Sequence, residues 1–285
     1  MNLLTLKDWT AGQLSGTLDL AIELKKEPKK YSSSLSQKSL AMLFEKTSTR
    51  TRMSFEIAMT QLGGHALFID WKSTQLAKAE LRDEMRCIDR YADAIMARVY
   101  AHESLQIMAK YCQKPIINGL SELYHPCQAV ADLMTLKEKL GKLEGRALAY
   151  IGDGNNVCNS LIIACHMAGM KISVATPPGY EPLEKPDVLT TYPAEAAKGA
   201  DAVYTDTWIS MGQEAEKEKR MKDFSGYQIT PEILGGAFFM HCLPAYRGYE
   251  VSSSVMDSPQ SIVFDEAENR LHAQKAILLK AMGVA

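Results

Sequence analysis

The sequence predicts an α/β protein of two domains, each a mainly parallel sheet flanked by helices. Three observations lead there. Short β-type runs alternate with helix-period segments along most of the chain. These runs are too many for one sheet of ordinary width. The chain has 285 residues, of which 46% are hydrophobic and 23% charged, enough for two ordinary cores of globular type.

The β-type runs lie at 40–44, 66–69, 94–99, 115–118, 147–152, 171–176, 202–208, 237–243 and 261–264. The helix-like segment from Met53 to Leu62 carries Phe55, Ala58, Met59 and Leu62 at i, i+3, i+4 and i+7, so one face is buried. Gly63-Gly64 then supplies a stop. A second helix follows His125-Pro126, with Pro126 at the favoured first position and Ala129, Leu133, Leu136 and Leu140 in one stripe. It ends at Gly141 and, lying mid-chain, reads as the interdomain connector. Pro177-Pro178-Gly179 and Gly235-Gly236 mark loops, and the charged run 214–223 reads as a solvated helix or loop. A last amphipathic helix is expected over about 267–282.

The net charge of -2 argues against a nucleic-acid or membrane-surface binder. Cys87, Cys112, Cys127, Cys158, Cys165 and Cys242 include no C-x-x-C pair. Met1 leads almost directly into a segment resembling folded protein, with no secretory-type apolar stretch. Free thiols in a cytoplasmic protein are therefore expected.

Ser48-Thr49-Arg50-Thr51-Arg52 falls where a helix begins. A helix start offers unpaired N–H groups and partial positive charge, and cations there oppose the dipole unless an anion is present. Hydroxyls and guanidinium groups at that place make a phosphate cradle. Ser or Thr could instead merely cap the helix. His125 precedes a helix and should stay neutral, with Gln128 one turn on, although a capping His with a surface Gln is an equal reading. Gly152-Asp153-Gly154-Asn155-Asn156 follows a strand but lacks the third glycine of a dinucleotide turn. Its asparagines suit an amino-acid backbone, and Asn155 also suits a tight turn with left-handed geometry. Asp206 and Ser210, at the end of another strand, could hold an ammonium and a carboxylate. Cys242 closes a strand at the edge where open α/β sheets bind ligands, with no base identifiable beside it. Arg98 interrupts an apolar strand and Arg270 sits on the last helix; each could be an ordinary ion-pair partner. His65, His102, His166 and His272 have no metal-ligand spacing.

Taken together and in order, the segments 44–52, 96–100, 125–128, 152–156, 206–212, 241–244 and 269–271 resemble the aspartate/ornithine transcarbamoylase family, and within it the ornithine-specific branch. The resemblance implies two α/β domains, 1–135 plus 268–285 and 136–267, with the C-terminal helix returning to the first. It implies transfer of the carbamoyl group of carbamoyl phosphate to the side-chain amine of L-ornithine, giving L-citrulline and phosphate. It implies a homotrimer, sometimes assembled further, no metal or organic cofactor, and no nucleic-acid or membrane partner.

By the family pattern Ser48, Thr49, Arg50 and Thr51 bind the phosphate, and Arg98, His125, Gln128 and Arg270 hold the other oxygens and the amide. Asn156, Asp206, Ser210 and Met211 bind ornithine. Cys242 and Leu243 lie between the two ligands, and Asp206 with Cys242 orients the attacking amine. The loop of Gln75, which in relatives reaches a neighbouring subunit's site, continues as Ala77-Lys78-Ala79-Glu80 where the family carries glycines. The region 177–198 is shorter than usual, implying that a helix of the second domain is trimmed or lost. Another acceptor such as putrescine, or a non-catalytic sensor of a phosphorylated metabolite, remain as alternatives.

Overall fold

The computed structural model describes residues 1–209 and 214–285. The chain divides into two compact units, Met1–Met134 with Asn269–Ala285, and Thr135–Glu268.

In the first unit, β1 (Ser39–Phe44), β2 (His65–Asp70), β3 (Ala94–Arg98) and β4 (Ile116–Leu120) form a parallel sheet of order β2-β1-β3-β4. Helices α1 (Ala11–Lys26), α2 (Thr49–Gln61), α3 (Leu81–Tyr91) and α4 (His102–Tyr111) are interspersed among them. The central strands β1 and β3 are buried almost throughout, as strands covered on both faces must be. Ala41, Leu43, Ile95 and Ala97 share one core cluster with Met85 of α3 and Leu105 and Met108 of α4. By contrast the edge strand β2 is largely exposed, with Leu67 and Phe68 open to solvent beside Met53 and Ile57 of α2.

Helix α5 (Pro126–Leu140) begins in the first unit and ends in the second. The second unit holds β5 (Ala147–Ile151), β6 (Lys171–Ala175), β7 (Val188–Thr190), β8 (Ala202–Thr205) and β9 (Phe238–His241), all parallel, in the order β7-β6-β5-β8-β9. Its helices are α6 (Asn156–Met167), α7 (Pro193–Ala197), α8 (Lys217–Asp223), α9 (Pro231–Leu234), α10 (Ser253–Met256) and the start of α11 (Val263–Ala281). The rest of α11 belongs to the first unit, where Lys25 donates to Asn269 at 2.8 Å and the Met1 amine to the Ala281 carbonyl at 3.0 Å. The C-terminal helix thus returns to the first sheet's unit.

Three elements differ from the sequence expectation. The run at 261–264 is no strand: Ser261 makes one isolated bridge to Phe239, and α11 starts at Val263. Four residues cannot separate the strand period from the helix period, and Asp265 and Glu266 mark a helix's first turn. Strand β7 was not expected, being three residues long with Val188 and Leu189 exposed. The span 176–187 between parallel β6 and β7 contains no helix, unlike most crossovers of this kind. Finally, 214–223 is not wholly solvated, because Arg220 of α8 is buried. The six cysteines are free thiols. No helix among the described residues is long and apolar enough to cross a membrane.

Candidate active site

The first unit gathers cations at the carboxyl ends of its strands. Ser48 caps α2, accepting from the Thr51 amide at 3.3 Å, so the Thr49-Arg50-Thr51 segment forms the first turn itself. Consecutive helical residues turn by about 100°, so Arg50 and Arg52 point to different faces. Arg52 pairs with Glu56 at 2.9 Å and lies 3.8 Å above the Phe68 ring, which takes it away from the cradle the sequence assigned to both arginines. Arg50 is exposed, and Thr51 is buried.

Arg98 ends β3 next to a register shift against β4, an irregularity that re-aims the side chain at that point. It is buried, as are His125, Gln128 and Arg270. Gln128 is held at both ends of its side-chain amide. Its amide donates to Asp132 at 2.7 Å, and its carbonyl accepts from Arg270, which also donates to the Thr51 hydroxyl at 3.3 Å. A guanidinium from α11 is thereby tied to the first turn of α2 and to α5. Burial first, then Arg270 and Arg98, holds the His125 imidazole well below its usual pKa. It is neutral at pH 7 and able to donate one hydrogen bond. Lys46, which the sequence reasoning passed over, is a further cation here: its ammonium sits 4.3 Å above the Tyr100 ring, and burial, with Arg98 nearby, lowers its pKa. Its place two residues beyond β1 was the available signal.

In the second unit the ends of β5, β8 and β9 are adjacent, and each delivers one polar group to the same sheet edge. After β5, Gly152 takes φ +145° and Gly154 packs so tightly that an added Cβ would lie 2.3 Å from the Pro182 nitrogen. Asp153 turns inward to Arg220 at 2.8 Å, and Arg220 also donates to the Trp208 carbonyl at 3.0 Å. Asn155 is not left-handed, as a tight turn would need, but extended at φ -80°, and it caps α6. Asn156 is the first residue of that helix.

Asp206 leaves β8 and accepts on one oxygen from its neighbour's amide, Thr207, at 2.8 Å and from the Cys242 thiol at 3.0 Å. Its other oxygen accepts from the Asn155 amide at 2.8 Å. Beyond β9, Leu243 has φ +60° and precedes a cis Pro244. The Leu243 amide donates to His241 Nδ1 at 2.9 Å, while His241 Nε2 meets Glu250 at 3.2 Å. Glu266 accepts from the His241 amide and the Tyr204 hydroxyl, both at 3.0 Å. Sequence reasoning missed this His241–Glu250–Glu266 frame, since no local pattern announces partners so far apart.

Asp206, His241 and Cys242 bring one potential ligand atom each to within 4.8 Å of one another. Asp206 and Cys242 are hydrogen-bonded to each other, whereas both ring nitrogens of His241 are engaged elsewhere: Nδ1 accepts a hydrogen bond from the Leu243 amide and Nε2 faces Glu250. Ser210 and Met211 lie outside the described residues. Gln75 is exposed in a short 3₁₀ turn, Gln75–Ala77.

One parallel sheet is thus edged with buried arginines and the other with an oriented carboxylate. Residues 1–138 match the carbamoyl-P binding domain of aspartate/ornithine carbamoyltransferase, and residues 144–281 match its Asp/Orn binding domain. The ornithine carbamoyltransferase of Archaeoglobus fulgidus is 48% identical over 301 residues, covering 99% of this chain and 97% of its own. The anabolic ornithine carbamoyltransferase of Pyrococcus furiosus is 49% identical over 303 residues, covering 99% and 96%. Among solved structures, ornithine carbamoyltransferase from P. furiosus superposes with a TM-score of 0.94 at 48% identity, covering 99% of this chain and 97% of that one. The Thermus thermophilus structure gives 0.91 at 43%, covering 99% and 98%. The chain belongs to the aspartate/ornithine carbamoyltransferase family. Because the A. fulgidus alignment spans 301 residues and this chain has 285, at least 16 residues of that relative have no counterpart here.

Proposed function

We propose that this chain is an enzyme that transfers the carbamoyl group of carbamoyl phosphate to the side-chain amine of L-ornithine, releasing L-citrulline and phosphate. The observation that carries the reading is identity of 48% across 99% of the chain to a protein named ornithine carbamoyltransferase. The site geometry supports it. Residues 1–135 with 268–285 would bind carbamoyl phosphate, and 136–267 would bind ornithine.

Ser48, Thr49, Arg50 and Thr51 hold the phosphate at the start of α2, where the dipole alone contributes about 0.3–1 kcal/mol per anion. Arg98, Arg270 and neutral His125 face the carbonyl oxygen and bridging oxygens, where charge grows in the transition state. Gln128 orients Arg270 and borders the carbamoyl amide. Asn156, Ser210, Met211 and Asp206 take the amino-acid end of ornithine, and Leu243 with Cys242 lines the space between the ligands.

An alkyl ammonium of pKa about 10.4 is neutral in fewer than about one molecule per thousand at pH 7. The site therefore selects the neutral amine: Asp206 holds the α-ammonium and sets the reach of the chain, and with Cys242 it so orients the attacking nitrogen. That nitrogen forms a bond to the carbamoyl carbon as the bond from that carbon to the phosphate oxygen breaks. The departing phosphate accepts the proton. No metal or organic cofactor enters the scheme.

The assembly is read as a homotrimer, in keeping with an open edge strand β2 and the exposed Met53, Ile57 and Leu67, which suit burial against another copy. In that assembly Gln75 would reach the neighbouring subunit's site. A cytoplasmic location fits the free thiols. The reaction belongs to arginine metabolism, and a biosynthetic role is in keeping with the P. furiosus relative named anabolic.

The test is a product assay with carbamoyl phosphate and equimolar ornithine, putrescine and aspartate. Citrulline as the dominant product supports the reading. Carbamoyl-putrescine would reassign the acceptor, and no product with any amine would leave a binding protein.

A further inference from the structure

The Asp206 carboxylate has about four lone-pair sites for hydrogen bonds, and its surroundings fill three of them. Thr207 and Cys242 occupy one oxygen, at 2.8 and 3.0 Å. Asn155 occupies part of the other at 2.8 Å. Among the described residues these contacts leave one side of the carboxylate open to an amine.

The Asn155 contact has only one orientation available. Its side-chain oxygen accepts three donors: the amides of Val157 at 2.9 Å and Cys158 at 3.2 Å, and the Tyr150 hydroxyl at 3.2 Å. Turning the amide over would set its hydrogens against all three and its oxygen against Asp206. Tyr150 stays protonated, because burial and then the Asp206 carboxylate push its pKa well up. Asn155 therefore joins the fixed start of α6 to the carboxylate at the end of β8, 51 residues further along the chain.

We propose that Asn155 is a positioning residue for the acceptor substrate: by occupying one oxygen of Asp206 it sets which lone pair faces the incoming amine. This rests on the assignment of Asp206 to ornithine given above. Capping α6 is a separate duty that Ser or Asp performs about as well as Asn, so the two roles can be parted by substitution.

The experiment compares wild type, Asn155→Ser and Asn155→Asp. Ser keeps the cap but is too short to reach Asp206. Asp keeps the cap and the shape but replaces the donor with a second carboxylate. The kcat/KM for ornithine is expected to fall about tenfold in Asn155→Ser and at least about a hundredfold in Asn155→Asp, the scale of a misplaced reacting group. The KM for carbamoyl phosphate should stay within about threefold in both, and the melting temperature of Asn155→Ser within about 3 °C of wild type. Unchanged ornithine kinetics in both variants would overturn the proposal. So would a loss that weakens both substrates together and tracks a fall in melting temperature, because capping alone would then explain it. If wild type carbamoylates no amine, the functional reading fails on its own. The proposal is then decided by the crystal structure of Asn155→Ser, where a displaced Asp206 carboxylate supports it and an unmoved one overturns it.

Discussion

The two sheet edges handle charge in opposite ways. In the first unit Arg98, Arg270 and His125 are buried close together, and burial, then the two arginines, depresses the histidine's proton affinity. An anion bound at this edge would meet cations already in place. In the second unit one carboxylate is held by neutral donors, Asn155, Cys242 and the Thr207 amide, and is largely satisfied before any ligand comes. The contrast separates two tasks. The cation cluster supplies binding energy and transition-state charge stabilisation, whereas the fenced carboxylate supplies direction.

Substitutions should respect that division. Arg270→Met removes a buried charge held by Gln128 and Thr51, and it should lower kcat/KM by about two to three orders of magnitude while weakening carbamoyl phosphate binding at least about a hundredfold. Arg50→Met should cost at least about two orders, or about 3 kcal/mol. Steady-state kinetics check both, and a near-wild-type rate in either would remove that arginine from the mechanism. Next in size, Asp206→Asn should lower kcat/KM for ornithine about a hundredfold and leave the carbamoyl phosphate KM within about threefold. A parallel loss for both substrates would break the division.

The pH responses come next. The citrulline-forming rate should rise with pH through neutrality, because the neutral amine is scarce, and a flat profile would put another step in control. Stability should move as well. His125 is held neutral when folded, so below the unfolded pKa of about 6.5 the unfolded chain binds the extra proton and folding is penalised. Melting scans from pH 7.5 down to pH 5 should show the loss, and part of it should vanish in His125→Gln. The smallest effect is expected at Arg52. Its ion pair with Glu56 is half exposed, so Arg52→Ala should cost no more than about 1 kcal/mol of stability, against the large kinetic loss at Arg50 two residues away.

Much of this was legible in the sequence, for reasons that also explain the rest. Buried parallel strands such as β1 and β3 read as short apolar runs, and Arg98 stood out by interrupting one. The start of α2 was legible because hydroxyls and arginines at a helix start oppose ordinary preference. That Arg52 leaves the cradle follows from helical geometry, yet composition alone hides it. Distant pairings were not legible. Arg270 meets Gln128 across 142 residues, and Asn155 meets Asp206 across 51, distances over which local pattern carries no signal. Asn155 was misread for a related reason: the capping role and the left-handed turn favour the same residue type, and only the backbone angle separates them.

The division of labour can be tested most directly by titrating freshly prepared carbamoyl phosphate into wild type, Arg270→Met and Asp206→Asn by calorimetry without ornithine. Asp206→Asn should bind within about threefold of wild type, and Arg270→Met should bind at least about a hundredfold more weakly. Equal weakening in the two variants would contradict the account, because the anion would then depend on the second unit's carboxylate as much as on the first unit's arginine.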